Sequence, residues 1–392
     1  MNKDLKKIGI IGAGPAGLTA AITAGKVLKT SERFSDWKID LFEKNDEPGR
    51  KLLATGNGRC NITNEFAEDF QLSYSFFNDL GVVFAKEDRG RMYPYSRQAR
   101  NVRDILVKTA LAYDVDILSN TDIESVKHSN DIFVLKDKYE KEYEYSRLII
   151  TTGGKAGIQY GSTGDGFKFA RDMGIKVKKI LPSLVPMTYG DDQQYDLKKL
   201  KGVRAEAKLT LMIDGEEIAD EYGEIQFTDY GISGICVFDL SRFLEDIKRE
   251  TDSISDCTVL IDLLPQISEK ELALLLDSGA PAGLKGIVNE KLERLLLDRG
   301  LDPQNDSIQI AETLKHFPLN IDGTKGWKEA QITSGGVPLE AIDTNCMESH
   351  EIPSLFFAGE ILDYDGPCGG FNLNWAWKSG IQAGLGVING IK

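Results

Sequence analysis

Three glycines, Gly12, Gly14 and Gly17, fall in the spacing G-x-G-x-x-G within "KKIGIIGAGPAGLTAAITAGKVL". In a phosphate-binding turn the first glycine reverses the chain, the second admits a pyrophosphate close to the backbone, and the third lets a helix pack on a strand. The surroundings agree: a β-branched run precedes the glycines, and small and apolar residues suited to a helix follow. A second strand, "IDLFEK", ends at Glu43, beside Lys44, and carries the acidic group that accepts hydrogen bonds from a ribose diol. It comes later than the usual offset of about 20 residues, and the polar insertion "SERFSDWK" accounts for the delay.

The far end of the chain holds a matching set. "LFFAGEILDYDG" reads as a strand running to Gly359 and Glu360, and Gly369 and Gly370 then open a helix from about Asn372. A helix N-terminus presents free N–H groups and partial positive charge, which suits the electron-rich pyrimidine edge of a reduced flavin. One fingerprint does not separate FAD from NAD(P). A second would serve a nicotinamide, but "TTGG", "GSTGDG" and "YGISG" each miss the pattern or its strand and helix context. The two ends are therefore read as halves of one FAD site, over which NAD(P)H binds transiently without a fold of its own.

The elements that must position these residues follow from the rest of the 392-residue chain. "GRKLLATGNGRCNITN" is glycine-rich, polar and too long for a tight turn, hence a functional loop. A helix is expected at Arg100 to Ala112, then a strand, an antiparallel β excursion, and the buried strand "RLIITTGG". Beyond "LPSLVPM" the texture changes to alternating strands and then to a helical stretch ending around Phe317. The expected organisation is α/β: an FAD-binding domain of residues 1–187 and 331–392, interrupted by an inserted domain over 188–330.

Composition narrows the function classes. A net charge of −14 disfavours a protein that grips nucleic acid phosphates, and 41% hydrophobic with 28% charged residues is ordinary for a soluble globular chain. Apolar runs are strand-sized, far short of a membrane span, and "MNKDLKK" leads into a strand without an apolar signal region, so the expected location is the cytoplasm. Five cysteines without a C-x-x-C pair and three scattered histidines suggest no zinc ribbon, redox pair or histidine metal site. Metal ligands are not expected.

Five further motifs, "GRKLLATGNGRCNITN", "GSTGDGFKFA", "GEIQFTDYGISG", "QITSGGV" and "FFAGEILDYDGPCGGFNLNWAWKSG", together with the first glycine turn, resemble the BaiN-like (YhiN-type) NAD(P)/FAD-dependent oxidoreductases in order along essentially the whole chain. The resemblance implies a Rossmann-like FAD-binding domain built from both chain ends and an inserted β-barrel plus helical domain. It also implies that Gly12, Ala13, Gly14, Ala16 and Gly17 hold the pyrophosphate and Glu43 the ribose. Gly49, Arg50 and Lys51 would lie beside the ribose and phosphates, and Ile123 in the adenine pocket. Thr152 and Gly153 would end the strand nearest the nucleotide, with Gly359 and Glu360 at the pyrophosphate end. Gly370, Phe371, Asn372 and Leu373 would place backbone N–H groups by the isoalloxazine. The chain departs from the family pattern at Asp229, where relatives often carry histidine, and at Pro367 and Cys368, where they carry an aromatic residue.

Several residues stay open. Cys60 has Arg59 beside it, a setting that favours a thiolate, but it lacks a resolving partner and reads as a packed residue. Trp375 and Trp377 lie on different faces of a helix, so at least one packs. Tyr93 and Tyr95 either line a pocket or end a strand. Arg89, Arg91, Arg97, Arg100 and Arg103 form the only concentrated basic patch, for an anionic substrate or as solvated charge. The leading function is reduction of an electron-poor small molecule such as an enone. The proton donor is unassigned, with Asp229, Tyr230 and Tyr160 as guesses by type. A flavin-dependent RNA-modifying or RNA-associated protein is the alternative, and a flavin-binding regulatory protein a third.

Overall fold

The computed structural model describes residues 6–251, 256–279, 282–389 and 391. Two compact units result, one containing residues up to Leu181 and from Ile332 onward, the other Pro182–Gln331. The second unit starts six residues before the expected position 188. The reason is local: Val185 N–H donates to Ser241 Oγ, Gln331 N–H donates to the Leu184 carbonyl, and Met187 already stands in a barrel strand. The prolines of "LPSLVPM" look like a linker, but the residues between them are core.

The first unit is built on a seven-stranded sheet in the spatial order Ile342–Asp343, Glu348–Ser349, Leu355–Phe357, Arg147–Ile150, Lys7–Ile11, Lys38–Phe42, Val115–Leu118. The last five run parallel. Their near-continuous apolar runs reflect burial on both faces. A strand from the far end of the chain therefore neighbours Arg147–Ile150, which itself pairs with the first strand. Helices Pro15–Thr30, Ala99–Ala112 and Phe371–Asn389 pack over the sheet. The antiparallel excursion is a three-stranded sheet of Ile123–Ser129, Ile132–Asp137 and Glu142–Tyr145. Its last residue, Tyr145, lies against Gly9, where a Cβ would come within 2.9 Å of the ring, and donates its hydroxyl to Asp40.

The glycine-rich loop folds into a short helix, Arg50–Ala54, a series of turns, and the strand Thr63–Asn64, which joins a second three-stranded sheet with Phe84–Lys86 and Arg91–Pro94. The second unit is a closed six-stranded barrel whose long hairpin, Arg204–Ile213 and Glu216–Phe227, turns at Asp214 and Gly215. Both turn residues have positive φ, as a two-residue hairpin loop requires. The closing strand Phe317–Thr324 begins where the helical stretch was expected to end. No helix among the described residues is long and apolar enough to cross a membrane.

Candidate functional site

The first turn leaves the strand Lys7–Ile11 at Gly12, which has φ of +105° and whose N–H donates to the Phe42 carbonyl. The three glycines divide their tasks sharply. A Cβ on Gly17 would stand 1.9 Å from the Gly12 carbonyl oxygen, so nothing larger than hydrogen fits between turn and helix. A Cβ on Gly14 would meet nothing within 4 Å, so that position borders open space. The helix Pro15–Thr30 has no side-chain cap, and its first internal bond is Leu18 N–H to Gly14. The N–H groups of Ala16 and Gly17 thus take no acceptor among the described residues. Ala13 is buried, and its carbonyl accepts from Gly49 N–H, which ties the glycine-rich loop to the turn.

Glu43 follows the strand Lys38–Phe42 and is buried, with Oε1 accepting from the backbone and side-chain nitrogens of Asn45 at 2.9 and 2.7 Å. Burial raises its pKa, against hydrogen bonds from Asn45 and Ala13 and the charge of Lys44. Lys44 itself turns to Asp165 at 2.8 Å and to Thr163. Arg50 donates to Asn45 Oδ1, and Lys51 reaches Glu360. The chain entering the strand of Ile123 runs beside this group, since Thr121 N–H donates to Glu43 and Asn120 N–H to Asn45. Ile123 is buried there.

The turn after Arg147–Ile150 supplies Thr151, whose hydroxyl donates toward the Ile11 and Gly12 carbonyls, and Thr152, whose buried Oγ1 has no partner among the described residues. Gly153 borders open space as Gly14 does. One residue outside the candidate set, Thr333, positions this turn. Thr333 is fully buried and accepts from Lys155 and Ala156 N–H, while its own N–H donates to Glu360 Oε1. Only its place in "QITSGGV" hinted at a role.

The C-terminal helix, Phe371–Asn389, begins at Gly370, with φ of +104°. Its first internal bond is Asn374 N–H to Gly370, so the N–H groups of Phe371, Asn372 and Leu373 take no acceptor among the described residues. The Asn372 side chain is spent on the preceding turn, bonding both N–H and carbonyl of Gly366. The loop from Asn61 to Asp69 is fastened along this helix. Trp377 Nε1 donates to Ile62, Thr63 Oγ1 to Asn374 Oδ1, Asn374 Nδ2 to Glu68, and Lys378 pairs with Asp69 at 2.6 Å. Gly359 N–H donates to Ser379 Oγ, and its carbonyl accepts from Trp375 Nε1. Both tryptophans are therefore packing residues. Further along, Gly380 and Gly384 lie on the Ala16 and Ala20 carbonyls, where a Cβ would come within 2.6 Å of each oxygen.

The expected basic patch is corrected, and the residues left open find their places. The arginines of "GRMYPYSRQAR" do not form one basic patch: Arg97 pairs with Glu87, Arg91 bonds the Asp88 carbonyl, and Arg103 is buried on Glu47 and Asp104. Tyr93 is buried between Arg59 and Arg97, whereas Tyr95 is 73% exposed. Cys60 is fully buried, and burial pushes its thiol pKa up to about 12. Asp229, in the second unit, is exposed and paired with Lys201 at 2.7 Å.

Residues 68–386 match the family of the HI0933-like protein Rossmann domain. The chain belongs to that family. The BaiN-like resemblance read from the motifs holds accordingly, and the fold is the Rossmann-type FAD-binding fold with an inserted barrel that it implied. Among curated relatives, a 3-dehydro-bile acid delta(4,6)-reductase of Clostridium scindens is 32% identical over 97% of this chain and 98% of its own length. A ribosomal RNA dihydrouridine synthase of Haemophilus influenzae is 28% identical over 96% and 97%. The fold is similar to that of 3-ketosteroid-delta4-(5alpha)-dehydrogenase from Rhodococcus jostii RHA1, at 15% identity and a TM-score of 0.51 over 97% of this chain and 96% of that one.

Proposed function

We propose that this chain is an FAD-dependent oxidoreductase that takes hydride from NAD(P)H and reduces an activated, enone-like alkene in a small molecule. The observation that carries the flavin part is a cradle with unspent hydrogen-bonding capacity at both of its ends. Among the described residues the N–H groups at the start of the first and last helices lack acceptors, Thr152 Oγ1 is buried without a partner, and Gly14 and Gly153 border open space. A dinucleotide fits that set of donors, since phosphates seek helix N-termini and a flavin's pyrimidine edge carries acceptors.

In this reading Gly12, Ala13, Gly14, Ala16 and Gly17 hold the pyrophosphate, with Thr152, Gly153, Gly359 and Glu360 beside it. Glu43 accepts from the ribose diol, and Ile123 lines the adenine pocket. Lys44, Gly49, Arg50 and Lys51 shape the ribose and phosphate side. Gly370, Phe371, Asn372 and Leu373 face the isoalloxazine. Bound FAD would supply the hydride-transfer chemistry between the nicotinamide and the electron-poor carbon. The protein's part is to orient the ring and to supply positive potential at the edge where charge develops.

The substrate class rests on the bile acid reductase relative. A second reading has a specific observation behind it, the dihydrouridine synthase relative. Uracil is itself a conjugated alkene, so the two readings share a reaction and differ in what carries the double bond. The net charge of −14 favours the small molecule. Purified protein is expected to be yellow and to bleach anaerobically on addition of NADH or NADPH. Reoxidation by a 3-keto-4-ene steroid and not by unmodified ribosomal RNA supports the first reading. The reverse pattern supports the second, and protein that cannot be reconstituted with FAD overturns both.

A further inference from the structure

Asn61 sits between two fully buried residues, Cys60 and Ile62, and is itself 7% exposed. Its carboxamide makes no hydrogen bond to the protein among the described residues: Oδ1 is buried and unpartnered, and Nδ2, which is not buried, donates to no described group. Buried polar side chains in folded proteins are nearly always satisfied, so an idle amide in a tightly fastened loop calls for an explanation. The position of the group supplies one. A Cβ on Gly370 would stand 3.2 Å from Asn61 Cγ and 2.6 Å from the Thr63 carbonyl oxygen, so glycine alone lets this loop approach the start of the C-terminal helix. The approach is held by Trp377, Asn374 and Lys378. An unspent amide is thus fixed beside the unspent N–H groups of Phe371, Asn372 and Leu373.

We infer that the Asn61 carboxamide is a ligand-facing group that hydrogen-bonds the bound flavin ring, donating to its pyrimidine edge alongside the helix N-terminus. The inference rests on the FAD reading above and adds a residue to it. A donor at that edge favours the reduced, more negative ring over the oxidised one, so Asn61 raises the flavin's reduction potential. The amide is a positioning and tuning residue, and no proton is transferred by it.

The test compares holoprotein of the wild type with Asn61→Leu, which keeps size and removes the amide, and Asn61→Asp, which keeps shape and replaces the donor by a carboxylate. Three quantities are read: the midpoint potential by spectroelectrochemical titration, FAD affinity by fluorescence titration of apoprotein, and the apoprotein melting temperature. Both variants are expected to shift the potential to more negative values, Asn61→Asp further. Asn61→Leu is expected to weaken FAD about fivefold, the loss of one net hydrogen bond, without lowering the apoprotein melting temperature. Two variants with wild-type potential and flavin spectrum overturn the inference. So does a lowered apoprotein melting temperature with unchanged potential, which marks the amide as structural. Wild-type protein that takes up no FAD instead overturns the FAD reading itself, and this inference with it.

Discussion

Lys51 and Glu360 stand 309 positions apart in the chain and 2.7 Å apart in space, joined through Nζ and Oε2. The other oxygen of Glu360 accepts from Thr333 N–H at 2.9 Å, so one carboxylate ties together the glycine-rich loop, the segment entering the last part of the sheet, and its own strand end. Glu360→Ala is expected to destabilise the apoprotein by about 1 to 3 kcal/mol in urea unfolding, because a backbone donor loses its acceptor. Glu360→Gln keeps that acceptor and is expected to cost about 1 kcal/mol or less, the ordinary worth of a partly exposed ion pair. Equal losses for the two would remove the Thr333 bond from the account.

Gly14 and Gly17 differ by three positions and should fail in different ways. Gly17→Ala forces a carbon to 1.9 Å from the Gly12 carbonyl, and a loss of at least about 3 kcal/mol of stability is expected from such overpacking. Gly14→Ala meets nothing within 4 Å and should unfold like the wild type while losing FAD about tenfold or more through a blocked approach. Thermal melts with and without FAD separate the two. A Gly14→Ala protein that retains FAD fully would sink the assignment of that space to the pyrophosphate.

Glu43 links affinity to acidity. Its pKa in the folded protein lies above the ordinary 4.5, chiefly through burial. The stability it contributes is therefore present below 4.5 and lost as pH rises through the raised value, where the buried carboxyl ionises. The ionised form is the better acceptor for ribose hydroxyls, so FAD affinity should fall as pH drops through that same value. Glu43→Gln should weaken FAD about tenfold at pH 7, as expected for bonds to a charged acceptor, and flatten the acid limb of the profile. An unchanged acid limb in the variant would assign that limb to another group.

Cys60 should be silent. With a thiol pKa pushed from 9.0 to about 12 by burial, its thiolate is absent at physiological pH. A thiol reagent is expected to label it only after unfolding, and Cys60→Ala should leave flavin reduction by NAD(P)H within about twofold, since only the thiolate acts as nucleophile or metal ligand. The folded state favours the protonated thiol. Its contribution to stability is thus complete below pH 9.0 and is lost as pH climbs toward 12. Rapid labelling of native protein at Cys60 would contradict the burial.

What the sequence made legible was whatever depends on neighbours within a few positions. The separate roles of Gly12, Gly14 and Gly17 are local geometry, and spacing suffices to read them. The helix at Ala99–Ala112 and the antiparallel excursion follow from periodicity in the same way. Thr333, Asn374 and the Lys51 to Glu360 pair escaped because each takes its meaning from a partner well over a hundred residues away. The arginines after Gly90 mislead for the complementary reason: Glu87 and Glu47, which pair with Arg97 and Arg103, lie outside the arginine-rich stretch itself. The early start of the second unit was hidden by Pro182 and Pro186, which look the same in a linker as at the ends of a packed turn.

The contact of Gly380 and Gly384 with the Ala16 and Ala20 carbonyls bears on how the protein is made. The helix Pro15–Thr30 is synthesised long before the helix Phe371–Asn389 that covers it, with most of the described chain translated between them. Until then an apolar helix face and the half-built cradle wait in a nascent polypeptide, where exposed surface of that kind invites chaperones and aggregation. If the proposed flavin site is right, flavin capture comes late in biosynthesis, and a yellow colour in a cell extract would report chains whose last helix has docked.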